Sequence, residues 1–387
     1  MPLIHALIGM LGVGVLCVAA GYEAMALLAV LVWTVRRARR PSGRPSQAVT
    51  LLKPLCGAEP GLYENLRSFC LQDYPQYQIV FGVQDHRDPA LGIVARLISE
   101  FPTLPIDVVV NSQQHGSNRK ISSLINMVPH ARHDVLMIAD SDALVGPDYL
   151  ASMVAPLTDP GVGLVTCIYR GMPTSKVWSR LGAMYVNEWY IPSVLLAWLF
   201  GHREYVSGLT LCLRRTTLQA IGGLRRLSNH LADDYELGAL VRAAGLRIAL
   251  STYVPRTEHS EPSLDQLVDH ETRWMRTIRV LRPRSFLFLF LSFCLPLALT
   301  GLVMSAELPA AAPLGTALFL VALGTRLALF SIPKLSSRDF SFTDLLLLPA
   351  RDLLLCWVWM RALRSSRVTW RGAEFAVDAQ GIMRSLS

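Results

Sequence analysis

The sequence predicts an α/β domain, a mainly parallel sheet flanked by helices, combined with transmembrane and interfacial helices. Three observations predict it. Short apolar runs alternate with helical stretches between residues 48 and 284, two long apolar blocks flank that region at 3–35 and 286–333, and arginines cluster where the blocks meet it. Composition agrees: the 387 residues are 52% hydrophobic and only 17% charged, against about a quarter charged in an ordinary soluble domain.

The elements follow in order. The stretch 3–33 is too long for a signal-peptide core and has no small-residue cleavage site before the arginines, so it reads as a retained anchor. Glu23 is unusual there; it marks a polar contact near the interface, a lipid-headgroup site or a snorkelling side chain. Residues 49–52, 78–83, 106–110 and 135–139 read as buried strands, and 63–70, 90–100 and 121–127 as helices between them. Strand and helix in alternation give a sheet of the nucleotide-binding type, whose ligands gather at the carboxyl ends of its strands.

Residues 188–200, aromatic-rich and containing Pro192, read as an interfacial helix, with a buried core helix as the alternative. Residues 286–306 and 311–332 read as two spans joined by a turn at 305–313. The stretch 342–363 is apolar again, but Arg351 and Asp352 sit at its middle, and a charge there costs about a few kcal/mol in hydrocarbon. It is expected to be re-entrant or interfacial. The resulting division is an anchor over 1–40, a globular region over 41–284, and a hairpin, interfacial helix and tail over 285–387.

The net charge of +8 is concentrated in Arg36, Arg37, Arg39, Arg40 and Arg44 after the first block, and in Arg273, Arg276, Arg279, Arg282 and Arg284 before the second. No nucleic-acid motif accompanies them, so a nucleic-acid partner is not expected. Basic residues flanking spans stay on the cytoplasmic side and attract anionic headgroups, which puts both ends of the globular region there. Seven cysteines without a C-x-x-C pair argue against disulfides or zinc and for core positions in a reducing compartment.

Four local patterns carry candidate chemistry. Asp140-Ser141-Asp142 follows the apolar run 135–139, where two carboxylates can address a ribose and a divalent metal; alone the pattern is weak and often just a turn. Gln84-Asp85 follows 78–83, and its carboxylate suits a base or ribose as well as it suits a helix cap before Pro89. His230-Leu-Ala-Asp233-Asp234-Tyr-Glu236 opens a helix, where acids gain from the macrodipole; adjacent carboxylates also repel and raise one pKa, which suits a general base. His270-Glu-Thr-Arg273-Trp274 lies on a basic helix, and its arginine can pair with diphosphate oxygens or anchor the chain to a membrane surface.

Taken in order, these patterns resemble the ceramide-glucosyltransferase-like family of inverting glycosyltransferases. That family has a nucleotide aspartate, a D-x-D-type motif, a catalytic aspartate and a (Q/R)-x-x-R-W motif, matched here by Asp85, Asp140/Asp142, Asp234 and His270-x-x-Arg273-Trp274. The likeness extends through Lys53-Pro54-Leu55-x-Gly57, Asp73-Tyr74-Pro75, Asn118-Arg119-Lys120-Ile121 and Ala220-Ile-Gly222-Gly223-Leu224. Residues 53–74, Asn126-Met127, Thr166-Cys167 and Val368-Thr-Trp370-Arg371-Gly372 look closest to the hopanoid-biosynthesis glycosyltransferases of bacteria. One departure is His270, where the family usually has Gln or Arg.

The resemblance implies a GT-A-type catalytic domain over 41–284, on the cytoplasmic face of a bacterial inner membrane in a multi-pass protein. It implies an inverting transfer from a UDP-sugar to a membrane-lipid hydroxyl. N-acetylglucosamine and bacteriohopanetetrol are the first expectation, and glucose and ceramide the alternative. Asp85 would bind uridine, Asp142 with Asp140 would hold Mg²⁺ or Mn²⁺, Lys120, His270 and Arg273 would face the diphosphate, Trp274 would line the acceptor mouth, and Asp234 would be the base. A polysaccharide synthase would need more membrane segments for a channel. A non-catalytic nucleotide-sugar scaffold would not need the full acid set.

Overall fold

Seven strands form the main sheet: β1 (Val49–Pro54), β2 (Tyr77–Val83), β3 (Ile106–Val110), β4 (Val135–Ala139), β5 (Val162–Cys167), β6 (Thr210–Arg214) and β7 (Arg247–Ser251), in spatial order β3-β2-β1-β4-β6-β5-β7. This is a computed structural model, and it describes residues 2–38, 47–174, 176–337, 341–364, 367–370, 373–378 and 380–385. Arg39, Arg40, Arg44, Arg371 and Gly372, named above, lie outside the described residues.

All pairings in this sheet are parallel except those of β6, which runs antiparallel to both β4 and β5. Strands β2 and β4 are buried along their whole length, as near-continuous apolar runs must be when helices cover both faces. Alternate residues serve opposite faces. Leu51, Ile79, Phe81 and Met137 enter one core, and Leu52, Val80, Leu136 and Ile138 the other. The expected strands at 106–110 and 135–139 and the helix Ala90–Glu100 have the bounds read from the sequence.

The chain divides into two units. The sheet unit comprises Arg37–Arg170, His202–Glu258 and Thr369–Ser387; the helical unit comprises Met1–Arg36, Gly171–Gly201 and His259–Val368. This differs from the sequence division, which put 171–201 and 259–284 with the sheet. The reason lies in buried polar contacts. On the helix Leu264–Leu281, Glu271 is engaged bidentately by Arg351 at 2.7 and 2.8 Å, and Arg351 also donates to the Leu181 carbonyl at 3.1 Å.

In the helical unit, Pro2–Ala38 and Ala312–Ile332 are long and apolar enough to cross a membrane, and Pro283–Ser292 with Cys294–Ser305 would make a third as a broken span. The straight span expected over 286–306 is therefore bent by 64°. Pro296 explains this: it cannot donate to the carbonyl of Ser292, and its ring would clash there.

The expected interfacial helix 188–200 is instead continuous with Val177–Met184 through a π-turn at Tyr185–Tyr190, and it buries Glu188, Trp189, Leu195 and Leu196. Pro192 lacks the N–H that would reach the Glu188 carbonyl, and Arg326 Nη1 takes that oxygen at 3.3 Å. The helix Phe342–Ala362 buries Arg351 and Asp352. Each is paired with another element, Asp352 with Arg326 at 2.8 Å. Cys70, Cys167, Cys212 and Cys294 are buried, as expected of core cysteines, but Cys17 and Cys56 are exposed.

Candidate active site

The carboxyl ends of β1, β2 and β4 and the amino end of the antiparallel β6 lie at one edge of the sheet, and the sheet unit's candidate residues are built there. Asp140 directly follows strand β4, and its N–H donates to Leu209 O at 3.1 Å and so fixes the loop entering β6. Lys120 Nζ meets Asp140 Oδ1 at 2.5 Å and donates to Gly208 O at 3.2 Å. Burial alone would lower the Lys120 ammonium, but Asp140 and Asp233 outweigh it and hold the charge in place.

Asn118 explains why Lys120 arrives there. It caps the helix Arg119–Met127 by accepting from Ile121 N at 3.0 Å, while its amide donates to His230 O at 2.9 Å and Asp233 Oδ1 at 3.2 Å. One residue thus sets the first turn carrying Lys120 and ties down the acidic turn opposite. The next residue, Asp234, lies against Gly208, where an added Cβ would come within 3.2 Å of Asp234 Oδ2. Burial first, then the neighbouring Asp233, pushes the Asp234 carboxyl up to about 6, and burial also raises Asp233. This is the paired-acid behaviour expected of a general base.

Asp142 accepts from the Thr257 hydroxyl at 2.9 Å, and burial, then Asp140, pushes its carboxyl up. A divalent cation fits this donor set. The two carboxylates are hard oxygen ligands; Asp140 Oδ1 meets Lys120 and Asp142 Oδ2 accepts from Thr257. Among the described residues no group of three His, Cys, Asp or Glu side chains forms a closed cage, so substrate oxygens would have to complete the coordination.

Asp85 stands at the end of β2 as expected, exposed, with Oδ1 accepting from Arg87 N at 2.9 Å. Its neighbour Gln84 donates to Arg119 O at 2.8 Å, fastening this strand end to the Lys120 helix. Asp88 accepts from Gly57 N through both oxygens at 3.0 Å; Gly57 has φ +77°, a conformation that favours glycine.

Three contributions had no role assigned from sequence. Lys53, fully buried on β1, donates to Asp140 O at 2.5 Å and lies 3.6 Å from the Phe69 ring centre. Burial brings it down to about 7 against the pull of Asp142 and Asp140. A lone lysine in an apolar strand was the available signal. Asn118 carried its signal as a polar residue at a helix start. Residues 381–383 gave none: Leu231 N donates to Gly381 O at 2.9 Å and Met383 N to Asn229 O at 2.8 Å, pairing the tail with the turn before Asp233.

The His270-x-x-Arg273-Trp274 pattern belongs to the helical unit and is built there. His270 Nδ1 pairs with Glu261 Oε1 at 2.9 Å, and its ring lies 4.3 Å from that of Trp274, which also packs on Tyr185 at 5.4 Å. Burial lowers both His270 and Arg273. Burial opposes the Glu261 charge, but hydrogen bonds from His259 and His270 outweigh it and hold that carboxyl below its usual range. The Glu261 contact occupies His270 through Nδ1.

Comparison with known proteins gives these residues a context. Ceramide glucosyltransferase 1 of Caenorhabditis elegans is 22% identical over 350 residues, covering 87% of this chain and 73% of that protein. The ceramide glucosyltransferase of Candida albicans is 32% identical over 123 residues, 29% of this chain and 23% of its own length. Among solved structures, a mannosyltransferase of Pyrobaculum calidifontis in complex with GDP-Man and Mn²⁺ aligns at TM-score 0.48 and 19% identity, over 90% of this chain and 99% of that one. Glucosyl-3-phosphoglycerate synthase of Mycobacterium tuberculosis aligns at 0.38 and 18%, over 62% and 84%. The model of glycosyl transferase family 21 matches residues 13–383, nearly the whole sequence, and the chain belongs to that family of glycosyltransferases.

Proposed function

We propose that this glycosyltransferase moves a hexose from a UDP-sugar to a hydroxyl of a membrane lipid with inversion, and that ceramide is the acceptor class. The relatives named as ceramide glucosyltransferases favour glucose and ceramide over the N-acetylglucosamine and bacteriohopanetetrol put first from sequence. The observation that carries the reaction is Asp234, held beside Gly208 with its carboxyl raised to about 6 while Lys120 and Asp140 form an ion pair in the same strand-end cluster.

In this reading Asp234 takes the proton from the lipid hydroxyl as that oxygen attacks the anomeric carbon opposite the leaving UDP. Asp85 receives the uridine. Lys120 offers positive charge to the diphosphate. A bound Mg²⁺ or Mn²⁺ at Asp140 and Asp142 would offset charge on the departing diphosphate. The arginines flanking the apolar blocks favour a site on the cytoplasmic side of the membrane.

The test offers membranes containing the enzyme UDP-glucose and UDP-N-acetylglucosamine against ceramide and bacteriohopanetetrol, with mass spectrometry of the lipids. Glucosylceramide is expected. N-acetylglucosaminyl bacteriohopanetetrol would restore the first sequence reading, and no glycolipid in any arm would sink both.

A further inference from the structure

The helical unit contains a small polar cavity that has no part in the site described above. Tyr22, Glu23, Glu188, Ser292, Arg326 and Asp352 supply its polar wall, and the space has room for about one water-sized group. Most of that wall is satisfied from within. Tyr22 and Ser193 share a hydrogen bond at 2.8 Å, Trp189 Nε1 donates to Ser292 Oγ at 2.8 Å, Arg326 pairs with Asp352 at 2.8 Å, and Lys334 pairs with Glu188 at 3.1 Å.

Glu23 is the exception. It is 3% exposed, and its Oε2 has no hydrogen-bond partner. Buried polar groups are nearly always paired, because an unpaired one forfeits its hydration without return. The cavity therefore lacks a donor. A metal ion is a poor candidate, since no suitable group of three ligating side chains occurs among the described residues. A hydroxyl or amide N–H satisfies the carboxylate without bringing further charge into the interior.

The position of Glu23 indicates where such a donor comes from. It sits within Pro2–Ala38, a candidate membrane span, whose Val18, Met25 and Leu28 are exposed as lipid-facing side chains would be. A group reaching Glu23 along the bilayer need not cross water. We infer that Glu23 and the cavity beside it hold a hydroxyl or amide N–H of the acceptor lipid's headgroup, so that Glu23 is an acceptor-binding residue. This rests on the lipid-acceptor reading above.

The experiment compares wild type, Glu23→Leu and Glu23→Gln in phosphatidylcholine nanodiscs with UDP-glucose and N-hexanoyl-sphingosine, measuring both KM values, kcat and the melting temperature. Losing a hydrogen bond to a charged group should raise the acceptor KM about ten- to a hundredfold in Glu23→Leu, and less in Glu23→Gln, which keeps one acceptor oxygen. The donor KM should stay put, and the melting temperature shows whether Glu23→Leu remains folded while the acceptor KM changes. An acceptor KM unchanged in Glu23→Leu, as a resident water would leave it, overturns the inference. So would equal rises in both KM values. A wild type inactive on every lipid would instead count against the function itself.

Discussion

The two units solve opposite solvent problems with the same amino acids. The sheet unit buries apolar strands and gathers its charges at the strand ends, where Lys120, Asp140, Asp233 and Asp234 crowd one another. The helical unit displays apolar side chains, with Leu3 at 73% and Val303 at 69% exposure, and hides Arg351 at 1%. Two of its buried arginines are neutralised pairwise, Arg351 by Glu271 and Arg326 by Asp352. Charge is balanced where it holds helices together and left in tension at the strand ends. Perturbed groups are what a site needs, and matched pairs are what a low-dielectric interior tolerates.

The largest effect that would break this contrast is on turnover. Asp234→Asn should cut kcat by about 10²–10⁴-fold, the usual worth of a general base, with UDP binding by calorimetry retained. Its melting temperature should not fall, because burial and Asp233 already oppose the charge it removes. Full-rate transfer would strip Asp234 of its role.

In the helical unit the corresponding change is structural. Glu271→Leu strands Arg351 and should cost about 3–5 kcal/mol of stability, while the Glu271→Leu/Arg351→Met double variant should recover most of it. Thermal melts in detergent read both. A double variant as damaged as the single would show that the pair is needed for more than mutual neutralisation.

The same contrast decides what was legible in the sequence. Strands β3 and β4 could be bounded because an apolar run between polar breaks is local information. Asp140, Asp142 and the acids at 233–234 were visible because they sit where a strand ends or a helix begins. Arg351 and Asp352 were read only as a cost, since their partners Glu271 and Arg326 are 80 and 26 residues away. The bend before Cys294 was hidden in an otherwise apolar run, although Pro296 was its signal. Lys53 looked like a lysine at a strand end until its contact with Asp140, 87 residues on, gave it a purpose.

Asn118 tests whether the tension in the sheet unit is held by design of the loop. Asn118→Ala removes a helix cap worth about 1 kcal/mol and frees the turn before Asp234. A several-fold drop in kcat with an unchanged donor KM is expected. An equal change in both would reduce Asn118 to a cap.

A further effect is on pH dependence, and it carries opposite signs for activity and stability. The Asp234 carboxyl is raised from 3.8 to about 6 by burial and Asp233. Between those values the unfolded chain has lost the proton that the folded chain still holds, so this group makes stability fall as pH rises from 3.8 to about 6, with the full cost present above. Activity runs the other way. A base must be ionised, so kcat/KM should rise through about pH 6 and level off. Chemical denaturation of wild type and Asp234→Asn at pH 4, 5, 6 and 7 reads the first slope, and a pH–rate profile the second. If stability and activity climbed together across that window, with Asp234→Asn leaving the stability slope unchanged, the charge tension ascribed to this carboxyl would have to lie elsewhere in the cluster.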